Sequence, residues 1–158
     1  MQKIIFLLIF GCFSCLVQAQ DIELQDPVSI EFRQDTMMIE QQVANMLDKD
    51  YSTAGMLKAV SSLEQGYDKL LNKYYQMLLN KLKEEDRNSL IEAQRNWIKF
   101  RDSEKTLIRT ISAEGYTGGG TMWGPVAASA AADLTKDRLI DIYHYLTCLL
   151  YTSDAADE

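Results

Sequence analysis

The chain has 158 residues, with 23 acidic residues against 16 Lys and Arg, three cysteines and one histidine. This length suffices for one domain with a single hydrophobic core, and the acidic balance argues against binding to nucleic acid or to an anionic membrane. With one histidine and few cysteines, the sequence offers no zinc site, no other metal site and no cysteine chemistry, so we expect no cofactor and no catalytic residues.

The first 19 residues have the pattern of a secretory signal peptide. Lys3 supplies a short positive region, an apolar run covers residues 4–10, and small or apolar residues stand at 17–19. The apolar run is too short to span a membrane. A lipoprotein signal is the alternative, but phenylalanine stands two positions before each leader cysteine, where lipid attachment requires a small or β-branched residue. We predict a Sec signal peptide cleaved after Ala19 and a periplasmic or secreted location.

The N-terminal half of the remaining chain contains two predicted helices. Residues 20–35 lack periodicity and contain a proline, which predicts a flexible lead-in. Residues 36–47 carry an apolar pattern typical of a short helix. A long helix follows to about Lys83, with Ser52 or Thr53 as its N-cap and apolar residues at steps of three and four. Gly66 lies inside this helix and favours a local bend.

The C-terminal half contains two more long helices. The first covers about residues 84–113, and its apolar stripe is predicted to pack against the preceding helix: Leu90, Ala93, Trp97, Phe100, Leu107 and Ile111. The glycine-rich segment 115–125 ends it, and the last helix covers about residues 126–147. No segment shows strand-like alternation. The predicted fold is all-α, an antiparallel bundle of three long helices plus a short N-terminal helix.

The last eleven residues, CLLYTSDAADE, resemble the translation of a common transposon-based sequencing adapter, and all eleven match in one reading frame. We therefore predict that residues 148–158 are not native and contribute nothing to the fold. Without the leader (Lys3) and this tail (Asp154, Asp157 and Glu158), 15 basic and 20 acidic residues remain, a net charge of −5.

A polar cluster lies in the segment AQRNWIKFRD, residues 93–102. Arg101 follows Trp97 by four residues, so its guanidinium can lie over the indole as a cation–π contact. Asp102 could pair with Arg138 on the last helix or cap a neighbouring polar group there. We favour a structural role for this cluster over a ligand-binding pocket.

The glycine-rich segment from Gly115 to Trp123 is predicted to be a flexible loop between two helices. It is not a phosphate-binding loop, because it lacks the lysine and the preceding strand of that motif. Its large side chains, Tyr116, Met122 and Trp123, are either core plugs or partner contacts. We favour plugs. As partner contacts they are the candidate binding residues.

Several motifs together resemble the N-terminal domain of the LprI-type lysozyme inhibitor family. The resemblance covers about residues 36–147 and rests on STAGM, YDKLLNKYYQMLLNKL, LIEAQRNWIKFRD and DLTKDRL. Its most specific parts include Gln94, Trp97, Arg101 and Asp102, followed by Thr135 and Arg138. Family members usually carry cysteines where this chain has Ala59, Lys105 and Ala130, so the resemblance implies the helical scaffold without its usual disulfides.

The resemblance implies an exported envelope protein that binds a partner and is not an enzyme. One hypothesis is an inhibitor of lysozyme-type muramidases, whose cationic surface would attract an acidic domain, with the loop from Gly115 to Trp123 entering the substrate cleft. The other is a structural or interaction module of the envelope, with no inhibitory activity. An enzyme of unknown type is a distant third hypothesis.

Overall fold

The structure, a computed structural model, describes residues 26–154. The predicted signal peptide and its cleavage site therefore lie outside the described residues. The described elements are α1 (Pro27–Lys49), α2 (Thr53–Lys81), a 3₁₀ turn (Glu84–Asp86), α3 (Arg87–Ile111), α4 (Glu114–Thr117) and α5 (Trp123–Asp154). No strand occurs among residues 26–154, and the predicted all-α bundle is confirmed. The chain divides after Asp35 into two units, and the packing described below is that of the second unit.

Helix α1 begins earlier than predicted. The Asp26 carboxylate accepts hydrogen bonds from the backbone N–H of Ser29 (3.0 Å) and from its hydroxyl (3.1 Å), and Pro27 occupies the first helical position, where its missing N–H costs nothing. The prediction of a flexible lead-in is therefore wrong from residue 27 onward, and the predicted short helix is part of a helix of 23 residues. The helix begins here because the Asp26 side chain caps it, although the apolar periodicity of this part of the sequence is too weak to indicate a helix.

The junction of α1 and α2 is tightly built. Ser52 is the N-cap of α2, as predicted, and its hydroxyl accepts a hydrogen bond from the backbone N–H of Gly55 at 3.1 Å. A Cβ atom on Gly55 would collide with the backbone carbonyl oxygen of Asp50. Farther along α2, a Cβ atom on Gly66 would lie 2.8 Å from Cγ2 of Ile39. Gly66 thus admits the close approach of α1, a packing role that the sequence did not indicate.

The core lies between α2 and α5, which run in the same direction. Tyr67 contacts Lys136, and seven residues later Tyr74 meets Tyr143 edge to face, with ring centroids 6.4 Å apart. Apolar side chains from both helices are buried there: Ala59, Tyr67, Leu71, Tyr74, Leu78, Ala132, Leu139, Ile142, Tyr143 and Leu146. Because α2 and α5 are parallel, both begin at the same end of the bundle.

Helix α3 runs antiparallel to α2, since Glu64 pairs with Lys105 and Asp68 lies near Arg101. Its predicted apolar stripe is mostly not buried. Three members of the stripe are about half exposed: Phe100 (53 %), Leu107 (51 %) and Ile111 (51 %). The side of α3 that faces the bundle includes Leu90, the one buried member of the stripe, together with Arg101, which is one residue and about 100° around the helix from Phe100. The prediction that this stripe packs against the preceding helix is wrong for the three exposed residues.

Helix α5 is longer than predicted at both ends. It begins at Trp123 instead of about Val126, with Pro125 tolerated in its first turn, and it continues to Asp154 instead of ending near Thr147. Within the predicted adapter tail, Cys148 is exposed, Leu149 and Tyr151 are only 36 % and 37 % exposed, and Leu150 is partly buried. The adapter origin of the tail remains a prediction.

Candidate functional site

The predicted contact between Arg101 and Trp97 is confirmed. The guanidinium carbon of Arg101 lies 5.1 Å from the ring centroid of Trp97. Arg101 also donates to the carboxylate of Asp102 at 3.0 Å and lies 3.8 Å from the carboxylate of Asp68 on α2. Asp102 therefore pairs with its own neighbour on α3, and of the two roles considered for Asp102 the pairing with Arg138 is wrong.

Arg138 takes a different partner on α3. Its side chain is buried, and its Nε donates a hydrogen bond to Oε1 of Gln94 at 3.0 Å, while one terminal nitrogen lies 3.8 Å from the carboxylate of Asp141. The two most specific motifs of the sequence therefore meet through Gln94 and Arg138. Asp102 lies eight residues beyond Gln94, about two helical turns away, and sequence alone could not fix that register.

Thr135, the other polar residue of the second motif, is buried in α5. Its hydroxyl has no hydrogen-bond partner among the described residues. An unsatisfied buried hydroxyl costs about 1–3 kcal/mol, so it does not stabilise the packing here. Within the described chain, the motif residues thus form interhelical contacts and a buried threonine, an arrangement that contains no nucleophile beside a base.

A second polar cluster joins α1, α2 and α5, and the sequence did not indicate it. The Tyr67 hydroxyl donates to Oε1 of Glu40 at 2.9 Å, and the Lys136 ammonium donates to the same oxygen at 3.1 Å. The hydrogen bond from Lys136, supported by that from Tyr67, holds the pKa of Glu40 below its ordinary value. The same bond raises the pKa of Lys136, and burial with the hydrogen bond to Glu40 raises that of Tyr67.

The glycine-rich segment exposes its large side chains. Tyr116 is 75 % exposed, Met122 57 % and Trp123 40 %. The interpretation of these residues as core plugs is therefore wrong. The backbone explains why: Gly118, Gly119 and Gly120 all have positive φ, so the chain leaves α4 in a conformation that only glycine adopts easily.

Other apolar side chains are exposed at the same end of the bundle. Tyr51 precedes α2, and Leu57 in its second turn lies beside Gly124, at 3.8 Å from where a Cβ atom of that glycine would stand. Val126 in the first turn of α5 is about half exposed. We refer to Tyr51, Leu57, Val126 and the segment from Gly115 to Trp123 as the loop-end face. Leu57 and Val126 were not predicted as exposed, because each is consistent with a buried helix position, and Tyr51 was not singled out because it lies in the turn between α1 and α2.

A cavity of about 560 Å³ opens beside Trp123, between α2, α3 and α5. Glycine and alanines of α5 form much of its wall, and Glu64, Lys105 and Arg109 stand around it. Glu64 and Lys105 form an ion pair across α2 and α3. The cavity is present because the lining residues of α5 that follow Trp123 are glycine and alanine, whose side chains are too small to fill the space.

Comparison with protein families places these features in a known group. The family model described as "Lysozyme inhibitor LprI" matches residues 44–141, from the second half of α1 through most of α5. The chain belongs to the LprI lysozyme inhibitor family. Neither a curated protein nor a solved structure matches it. The match to LprI includes both motifs, the glycine-rich segment and the cavity, and LprI is an inhibitor family rather than an enzyme family.

The positions at which the resemblance implies cysteines hold other residues in this chain. Ala59 is fully buried in the core, Ala130 is partly buried, and Lys105 forms the ion pair with Glu64. Among the described residues the cysteine is Cys148, which is free and exposed. The described bundle is therefore held by packing and polar contacts.

The described residues also bear on membrane and metal binding. None of the helices between residues 26 and 154 combines the length and the apolar character that crossing a bilayer requires. Over the same residues, histidine, cysteine and carboxylate side chains do not gather in threes that could hold a metal ion.

Proposed function

We propose that this LprI-family chain is an exported envelope protein that inhibits lysozyme-type muramidases, with the loop-end face as its contact surface. Family membership supports the inhibition. The exposure of Tyr116, Met122 and Trp123 on one glycine-rich segment is the observation that carries the choice of surface.

The chemistry of this face suits protein recognition. Tyrosine and tryptophan are enriched among the residues that dominate binding energy, because they bury a large area and keep a polar group for hydrogen bonding. Tyr116 and Trp123 flank the three glycines, so the segment can change shape when it enters a cleft. The flexibility has a cost, since ordering glycines on binding loses conformational entropy.

Charge supports a cationic partner. The chain carries a formal net charge of −7, and −5 without the leader and the predicted adapter tail. Animal-type lysozymes are basic, so opposite net charges would increase the association rate, and added salt would reduce it. The partner is therefore proposed to be a cationic lysozyme-like protein.

A turbidity assay of bacterial cell-wall lysis tests this function. The chain from Gln20 onward, added in molar excess, is expected to slow lysis by at least one member of a panel of lysozymes. Tyr116→Ala should weaken inhibition without changing the melting temperature, because Tyr116 is exposed. Tyr145→Ala is the matched control, since Tyr145 is an exposed tyrosine in the C-terminal half of α5, away from the loop-end face.

The two proposals fail separately. Unimpaired lysis across the whole panel at large excess would overturn inhibition as the function. Inhibition that is equally strong in the wild type and in a Tyr116→Ala, Trp123→Ala double variant would retain the function but overturn the loop-end face as the contact surface.

A further inference from the structure

The cavity between α2, α3 and α5 has the dimensions and lining of a small-molecule site. Its volume of about 560 Å³ falls within the roughly 300–1,000 Å³ of typical ligand pockets. Ala127, Ala128 and Ala131 line one wall, and Trp123 and Gly124 line the cavity next to the loop-end face. This wall offers methyl groups and an indole, which favour an apolar ligand surface.

Two cations stand on the α3 side of the cavity, and they differ in their partners. Lys105 is paired with Glu64. The guanidinium of Arg109 donates to the backbone carbonyl of Lys105 at 3.2 Å and to the hydroxyl of Thr106 at 3.3 Å. Neither acceptor is charged, so among the described residues Arg109 has no carboxylate partner. A full positive charge beside an apolar cavity therefore lacks a counter-ion from the described chain.

The position of Arg109 is notable because the chain as a whole is acidic. The overall field of a chain with net charge −7 repels anions, and it provides no general reason for an anion to bind. Selectivity for an anion would instead have to come from the local guanidinium, whose planar fork binds carboxylates and phosphates through two parallel hydrogen bonds.

We propose that this cavity binds a small amphiphile that has an anionic headgroup and an apolar tail. The tail packs against Ala127, Ala128 and Ala131, and the headgroup pairs with Arg109 at the rim. A neutral hydrophobe would leave the guanidinium without a counter-ion, and a cationic amphiphile would be repelled by it. The headgroup could be the carboxylate of a fatty acid or the phosphate of a lipid, which share this chemistry.

Binding of defined amphiphiles to the chain from Gln20 onward tests the proposal. Isothermal titration calorimetry compares dodecanoate, dodecyltrimethylammonium, dodecyl phosphate and butanoate, each below its micelle concentration. We expect dodecanoate or dodecyl phosphate to bind, with a change in tryptophan fluorescence from Trp123. Dodecyltrimethylammonium has the same tail with the opposite charge, and butanoate has the carboxylate without the tail, so both should bind much more weakly. Which anion binds more tightly distinguishes a carboxylate ligand from a phosphate ligand.

Two variants locate the site. Arg109→Gln should weaken binding about tenfold, equivalent to about 1.4 kcal/mol. Arg95→Gln on the same helix is the matched control, because Arg95 is exposed and paired with Glu92, away from the cavity. Ala128→Leu should weaken binding, because its larger side chain occupies part of the cavity wall against which the apolar tail packs. The leucine side chain would extend into the cavity rather than into packed atoms. The melting curve of this variant without ligand checks that it folds.

Equal binding of the anionic and cationic amphiphiles would overturn the proposal, as would unchanged affinity in Arg109→Gln and Ala128→Leu. Absence of binding by every probe would also overturn it. The titration contains no lysozyme, so its result is independent of whether the proposed inhibition is found.

Discussion

Gln94 on α3 accepts a hydrogen bond from the buried guanidinium of Arg138 on α5, at 3.0 Å. Gln94→Ala removes this acceptor and leaves a buried charged donor poorly satisfied. We expect the free energy of unfolding to fall by about 1–3 kcal/mol. Chemical denaturation measures the change, with Arg95→Ala as a control at an adjacent exposed position that should be nearly neutral. Equal stability of the two variants would show that the contact contributes little.

At Thr135, by contrast, a substitution is expected to increase the stability of the fold. Its buried hydroxyl has no partner among the described residues, and valine has nearly the same shape without the hydroxyl. We expect Thr135→Val to increase the free energy of unfolding by about 1 kcal/mol, because the cost of desolvating the hydroxyl is removed. Thermal melting provides the measurement. A lower melting temperature would mean that the hydroxyl has a bonding partner in solution.

Gly55 is required by the close approach of Asp50. Gly55→Ala would place a Cβ atom against the Asp50 carbonyl oxygen, which cannot move without disturbing the turn between α1 and α2. We expect a loss of about 1–3 kcal/mol, typical of overpacking. Gly115→Ala is the control, since a Cβ atom there meets nothing within 4 Å and the backbone is helical. Urea denaturation of both variants should show a loss only for Gly55→Ala.

The cluster of Glu40, Tyr67 and Lys136 predicts how stability depends on pH. The pKa of Glu40 is lower in the folded chain than its ordinary value, so the contribution of Glu40 is fully present above that ordinary value. It is lost as the pH falls through the lowered pKa. The pKa values of Tyr67 and Lys136 are raised, so their contributions are lost as the pH rises through the raised values.

Glu40→Gln should therefore reduce the dependence of melting temperature on pH in the acidic range. Melting curves between about pH 3 and 7 compare this variant with the wild type. Glu92→Gln is the control, because Glu92 forms only an exposed pair on α3. If Glu40→Gln retains the full acid destabilisation of the wild type, the cluster does not couple folding to pH.

The tail from Cys148 onward is predicted to contribute nothing to the fold. Within the tail, Cys148 is exposed, Leu149 and Tyr151 are 36 % and 37 % exposed, and Leu150 is partly buried, as α5 continues through them. If the tail is not native, residues 20–147 and 20–158 should melt within about one degree of each other, since a helix end that buries few side chains stabilises little. A loss of several degrees in the shorter chain would show that the tail packs, and it would contradict the adapter interpretation.

Local chemistry could be predicted from the sequence more reliably than contacts between helices. The Ser52 cap and the stacking of Arg101 on Trp97 depend on residues close in sequence, and both were predicted. The partner of Arg138 depends on how α3 and α5 slide past each other, which no local pattern determines. The prediction of Asp102 as that partner was wrong for this reason.

Exposure of Phe100, Leu107 and Ile111 was missed for a related reason. Periodicity shows which side chains share a side of a helix, but it does not show whether another helix covers that side. The candidate site has the same limit. The glycine-rich segment was predicted to be a loop throughout, but it is one only at residues 118–122, since α4 covers Glu114–Thr117 and α5 begins at Trp123. The cavity beside it is formed by three helices and could not be predicted from any one of them.

The parallel pairing of α2 and α5 has a consequence for the order of folding. Tyr67 with Lys136, and Tyr74 with Tyr143, are each 69 positions apart in the chain. The core therefore cannot close until residue 143 has been synthesised, and closing so long a loop slows folding relative to bundles that pack neighbouring helices. Under the proposed export, this delay has a use, because the Sec pathway threads chains that are still unfolded. The arrangement that places the core between distant helices would then also keep the chain competent for secretion.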